Sequence, residues 1–223
     1  MPEYISCTSS GKISEVVSLF NKDMITPYEE YSGVYILPVE PEKYYEQNVP
    51  YCGGFSIAGI LSAYQMDGSE SASEHMSLLG RLIGGMGPAD MIYSLEKSGL
   101  EGTINRTNKL SDSAKIDLLK DKINKGYPVL LLVGNGYNKD GTYSGMKSQG
   151  LTHLHWITLW GYHTNGFFIY DSVVHPYQYE PVPIGNVERS NKEILRDWIC
   201  PFYLSPFLGN TYIVLGDKGA GMI

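Results

Sequence analysis

The segment NVPYCGGFSIAGILSAY, residues 48–64, sets a single cysteine, Cys52, between a proline-containing loop and an apolar run. Phe55, Ile57, Ile60, Leu61 and Tyr64 recur at near-helical intervals, so Cys52 falls at the first turn of a helix over residues 53–65. Unpaired N–H groups and the helix dipole favour an anion there, and a thiol so placed gives up its proton more readily. Gly53 and Gly54 come next. They are expected to leave room for a carbonyl to approach, and to leave the Cys52 N–H as one donor to a developing oxyanion. Taken alone, such a cysteine is more often a small buried hydrophobe.

A nucleophilic thiol needs a base, and imidazole is the usual one. The chain has five histidines: His75, His153, His155, His163 and His175. His75, among surface residues in a helical stretch, is expected to be solvated. The runs HLHWITLWGYH (153–163) and GFFIYDS (166–172) are β-rich and meet around HTNG, whose turn chemistry predicts an antiparallel hairpin. His155 opens the strongly β run and shares a strand side with His153, while Asp171 ends the following strand. Pairing around the turn brings His155 and Asp171 to the same end of the hairpin. A carboxylate there fixes the imidazole tautomer and stabilises the imidazolium. Read alone, Asp171 is a turn former before Ser172. Trp156 either shields the ion pair from water or packs on the opposite face of its strand. Cysteine, imidazole and carboxylate together are more specific than any one of them.

These residues are carried by an α+β chain of 223 residues. Residues 10–22, 71–85, 87–102 and 111–127 read as helices, the second with a capping-box-like start at Ser71 and Glu74. Residues 32–40, PVLLLV (128–133) and 211–216 read as strands. The glycine-rich segment 134–151 is a loop next to the histidine strand and the expected lid or substrate-contacting segment. Helices dominate the first half and strands the second. The expectation is a single domain over 1–223, with a helical lobe over about 1–125 and a sheet lobe over about 126–223.

Composition narrows the function classes. A formal net charge of −7 without Lys or Arg runs argues against a nucleic-acid surface. No apolar run approaches the roughly 20 residues that span a bilayer, and no secretory signal is visible. The protein is expected to be cytoplasmic as made, or exported without a cleaved signal. Cys7, Cys52 and Cys200 are odd in number and widely spaced, which suits reduced thiols rather than a disulfide framework. Cys7 and Cys200 are taken as structural or incidental. No cofactor or metal is expected. The competing reading is a zinc site from His153, His155, His163 and Asp171, which leaves Cys52 unexplained.

In YCGGFSIAGIL, GYPVLLLV and HWITLWGYHTNGFFIYDS, residues 45–175 resemble the papain-like cysteine peptidase superfamily in its compact bacterial forms. The second half is similar to the peptidases that remove double-glycine leaders from bacteriocins. PYCG and LWGYH…FFIYDS also resemble phytochelatin synthase, a transpeptidase on the same scaffold. The resemblance implies a helical N-terminal half carrying the nucleophile helix, and an antiparallel sheet in the C-terminal half. It implies a Cys52–His155–Asp171 triad and a peptide or protein substrate. The superfamily usually supplies a second oxyanion donor from a glutamine six residues before the cysteine. Here that position is Glu46, and Gln47, five residues before Cys52, is the expected donor, with Asn48 as the alternative.

The implied activity is hydrolysis of a peptide or isopeptide amide by a stand-alone peptidase. A bacterial effector or toxin with an inhibitor or immunity partner belongs to the same analogy. Amide transfer or glutamine deamidation on the same scaffold stays open, as does a non-catalytic peptide-binding module.

Overall fold

The apolar repeat that begins at Cys52 forms a helix, α1 (Cys52–Ala63). The computed structural model describes residues 33–47, 50–66, 71–83, 85–143, 145, 154–175, 182–199 and 205–216. The expected helix over 10–22, together with Cys7, Asn48, His153, Cys200 and most of 144–151, lies outside them. Ten of the twelve residues of α1 are buried, so it is apolar nearly all round and lies inside the molecule. Its small residues let neighbours come close. Gly54 faces the backbone carbonyl of Ala72, and Gly59 faces the ring of Tyr170.

The stretch expected as one helix over 71–85 is two. A 3-10 turn at Ala72–His75 ends in extended backbone at Met76, and α2 (Leu78–Ile83) then starts afresh. The Ser71 hydroxyl does not cap the turn; it bonds with the Ser73 hydroxyl at 2.9 Å. Ser77 supplies the new start, accepting from the Gly80 N–H at 3.0 Å. His75, expected to be solvated, is buried at the end of the 3-10 turn, because that turn packs against α1.

Helix α3 (Pro88–Lys97) begins with proline at its first position, and the Gly87 N–H donates to Asp90 Oδ2 at 3.2 Å. In α4 (Asp112–Asn124) the Ser111 hydroxyl accepts from the Ala114 N–H at 3.3 Å. Gly126, at φ +87°, provides the left-handed residue that ends this helix.

Strand β1 (Tyr35–Ile36) is a fragment of the expected 32–40 strand. The other strands are β2 (Gly102–Arg106), β3 (Val129–Gly134), β4 (Leu154–His163), β5 (Gly166–Tyr170), β6 (Val187–Ser190) and β7 (Thr211–Leu215). They form one sheet in the order β2-β7-β3-β4-β5-β6, and every pair is antiparallel. Strand β1 pairs β4 at Gly161 and Tyr162, past the point where β3 stops. Strand β2 comes from the first half of the sequence and joins this sheet through β7. Helices α5 (Asn191–Trp198) and α6 (Ser205–Leu208) add to the second half.

The β4–β5 hairpin turns on Thr164 and Asn165, with His163 opposite Gly166. Trp160 forms a bulge between the paired residues Leu159 and Gly161. The core runs from α1 across β3, β4, β5 and β7, with Trp156, Trp160 and Trp198 its largest buried side chains. Among the described residues, no helix is long and apolar enough to cross a membrane.

Candidate active site

Strand β4 overhangs its neighbour. Its pairing with β5 starts at Thr158, opposite Tyr170, so residues 154–157 have no β5 partner. The start of α1 takes that place. The Trp156 N–H donates to Cys52 Sγ at 3.5 Å, and the Ser56 hydroxyl donates to the Trp156 carbonyl at 3.5 Å. Cys52 and Ser56 are four residues apart and share one helix face, so a single strand residue engages both. This seat brings the thiol to the histidine at the neighbouring position.

His155 and Asp171 meet as the hairpin reading expects. His155 Nε2 bonds to Asp171 Oδ1 at 2.7 Å, and both side chains are buried. The other ring nitrogen, Nδ1, is not the one on the carboxylate, and Cys52 is held beside the histidine by the N–H of the next strand residue, Trp156. Burial alone would weaken the imidazolium. The Asp171 carboxylate and the Cys52 thiolate outweigh it and push His155 up to about 10. Burial would likewise raise the Cys52 thiol. The His155 charge and hydrogen bonds from the Trp156 and Gly53 N–H groups bring it below its ordinary value instead. Asp171 is held well below the usual carboxylate range: burial opposes this, but the His155 and Arg189 charges prevail.

The N-cap of α1 is Tyr51, which makes no side-chain cap, and the first turn has no acidic residue. The Cys52 N–H has no acceptor within the helix and can face an anion. The two glycines act differently from expectation. A Cβ at Gly53 would meet the sulfurs of Met91 at 2.7 Å and Met86 at 2.9 Å, and one at Gly54 would strike the Ala72 backbone. The space they leave is filled by the protein itself and not kept for a substrate carbonyl.

Gln47 lies beside the carboxylate segment. Its N–H donates to the Ser172 carbonyl at 2.6 Å, and its side-chain oxygen accepts from the Ser172 hydroxyl at 2.8 Å. With that oxygen engaged, its NH2 is the end turned to other acceptors. Glu46 points elsewhere, pairing with Lys139 at 2.7 Å and His175 at 3.4 Å. The Trp156 indole packs in the core and donates to the Met86 carbonyl at 2.8 Å. Strand residues alternate, so it leaves β4 on the face opposite His155.

His163 belongs to another place. It pairs with Glu188 at 2.9 Å, eight residues along β4 from His155, a span of about 26 Å at strand rise. The two cannot ligate one zinc ion. Among the described residues, no group of three His, Cys, Asp or Glu side chains is arranged to hold a metal.

Three contributors to the site escaped the sequence reading. Asn186 accepts from the Asp171 N–H at 2.8 Å and donates to the carbonyls of Asp171 at 2.9 Å and Val174 at 3.1 Å. Arg189 bonds Asp171 Oδ2, and Tyr137 covers Arg189. The one available signal was alternation in VERS, which sets Arg189 on the same side as Val187.

No protein-family model matches the chain, and no curated protein matches it in sequence. Solved structures do. The peptidase domain of Streptococcus ComA, a bi-functional ABC transporter involved in a quorum-sensing pathway, aligns over 79% of this chain and 98% of its own. The TM-score is 0.50 and the identity 15%. The fold is papain-like. Two further structures align less well. One is a double-glycine-motif protease from an AMS/PCAT transporter in complex with its leader peptide, at TM-score 0.47 and 13% identity over 79% of this chain and 96% of that one. The other is a putative C39-like peptidase from Bacillus anthracis, at 0.38 and 13% over 60% and 61%. At these identities the likeness is one of papain-like fold.

Proposed function

We propose that this protein is a cysteine peptidase that hydrolyses a peptide or isopeptide amide with Cys52 as nucleophile, His155 as base and Asp171 as the residue that orients it. One observation carries the reading. A buried imidazole has one nitrogen on a carboxylate, and a buried thiol at the start of a helix sits on the N–H of the next residue along the same strand. The likeness in fold to a peptidase domain supports an amide of a peptide as the substrate.

In the proposed reaction, His155 Nδ1 takes the Cys52 proton and Sγ attacks the carbonyl carbon. The tetrahedral oxyanion accepts from the Cys52 N–H and the Gln47 NH2. Collapse breaks the C–N bond, and His155 passes its proton to the departing amine. Water then attacks the thioester, His155 takes its proton, and the acid leaves as Cys52 recovers its hydrogen. The Trp156 and Gly53 N–H groups steady the thiolate between turnovers.

The test is labelling of the native protein with sub-stoichiometric iodoacetamide from about pH 4 to pH 9, with the site read by peptide mass and His155→Ala beside it. The expected result is selective labelling of Cys52 well below the ordinary thiol pKa of about 8.5, weakened in the variant. Slow, equal labelling of Cys7, Cys52 and Cys200, indifferent to the substitution, would sink the proposal.

A further inference from the structure

Arg189 has no part in the reaction just described, yet it lies against the carboxylate that orients the base. Asp171 is 0% exposed and Arg189 3%. The two carboxylate oxygens are divided. Oδ1 takes His155 Nε2 at 2.7 Å and the Val173 N–H at 2.9 Å, while Oδ2 takes Arg189 Nη2. The other side of the guanidinium lies 3.6 Å from the centroid of the Tyr137 ring. Tyr137 begins the short hairpin in which it bridges to Tyr143, and its hydroxyl bonds with Glu193 at 3.3 Å and Arg196 at 2.8 Å. A cation held between a carboxylate and an aromatic face is shielded from water, so its charge acts at nearly full strength on its neighbours.

We propose that Arg189 is a positioning residue for the triad, holding Asp171 Oδ2 so that Oδ1 stays on His155 and offsetting part of the carboxylate charge that the imidazole feels. The inference rests on the peptidase reading. The offset matters because His155 must both take a proton and release it to the leaving amine. A buried carboxylate with no counter-charge would hold the imidazolium too firmly to act as an acid. The charged and titratable groups around the pair are accounted for. His155 faces Asp171, with Cys52 beyond it, and the Tyr170 phenol lies within its field. Tyr137 faces Arg189 from the hairpin, and Asp197, Glu193 and Arg196 approach from α5. Of the last three, Arg196 is bound to Asp197 at 2.8 Å, which leaves the Asp171 carboxylate as the acceptor in direct contact with Arg189.

The experiment is the pH–rate profile of Cys52 alkylation by iodoacetamide in the full chain, with thermal melting recorded for each variant. The lower limb reports the thiol and the upper limb the imidazolium, and added negative charge raises both. Arg189→Met is expected to move both limbs up by about one pH unit, and Arg189→Lys, which keeps the charge, to return them towards wild type. Asp171→Asn strands the cation and moves both limbs down. The double variant Asp171→Asn with Arg189→Met removes both charges, so its limbs return to within about half a unit of wild type. It also leaves no unpaired buried ion, and so reads out even if Arg189→Met does not fold. Limbs that stay in place across this series, with only melting temperatures changed, would reduce Arg189 to a structural ion pair. Unselective labelling of the wild type would instead overturn the peptidase reading, and this inference with it.

Discussion

Gly54→Ala tests whether α1 is seated as described, because two physical effects oppose each other there. Helix propensity favours alanine over glycine by at most about 1 kcal/mol. The packing works the other way. A Cβ at Gly54 would stand 2.9 Å from the Ala72 carbonyl carbon and 3.2 Å from its Cα, with the carbonyl oxygen nearer still. Carbon atoms rest about 3.5–4.0 Å apart, and the obstacle is backbone, which has no rotamer into which to retreat. Overpacking of this kind costs about 1–3 kcal/mol, so a net loss of about 1–2 kcal/mol is expected. For a chain of this size that lowers the melting temperature by about 2–8 °C. Gly59→Ala in the same helix is the control. Its nearest atoms are ring carbons of Tyr170 at 3.3 and 3.5 Å, and a ring can tilt by a few tenths of an ångström. That variant should melt close to wild type. Cys52 alkylation should also slow in Gly54→Ala, since the displaced helix start carries the thiol. Melting of Gly54→Ala at or above the wild-type temperature would refute the reasoning, because propensity would then have won.

Two further outcomes follow from the site. Gln47→Ala should lower kcat/KM for any peptide that the wild type cleaves by about 10²–10³-fold while Cys52 alkylation keeps its rate, since an oxyanion donor acts only on the transition state. Equal losses in both measurements would remove Gln47 from the oxyanion role. Trp156→Phe deletes the indole donor and strands the buried Met86 carbonyl, at a cost of about 1–3 kcal/mol. Urea denaturation with an unchanged midpoint would show that this bond contributes nothing.

The sequence carried the site further than it carried the sheet. Cys52, His155 and Asp171 were legible because each stands at the end of an element with a strong local signal: a helical repeat for the first, and a two-residue turn with flanking apolar strands for the others. Strand β2 was missed because GTINR has one strongly apolar residue and is separated by four residues from the helix before it. Strand β6 and Arg189 were missed for a related reason. VERS is short and half charged, and its place is set by pairing with β5 and by a carboxylate 18 residues earlier. Tertiary partners of that kind leave no periodic trace. The split of 71–85 into a 3-10 turn and a helix goes with a tertiary contact, since the Ala72 backbone meets α1 at a glycine.

The position of β7 has a bearing on how the enzyme would come into being. It lies between β2 and β3, where Tyr212 meets Leu131, 81 positions earlier, and Leu215 meets Gly102, 113 positions earlier. Contacts so distant in sequence form slowly, because a long loop must close before any pairing rewards it. During synthesis the thiol leaves the ribosome first, the imidazole about a hundred residues later, and the strand that joins β2 to the rest of the sheet later still. On the proposed reading, Cys52 has no base until about a hundred further residues have been added. The β4–β5 hairpin that brings His155 to Asp171 is made before β7 is synthesised, so the site's parts precede the closing of its sheet.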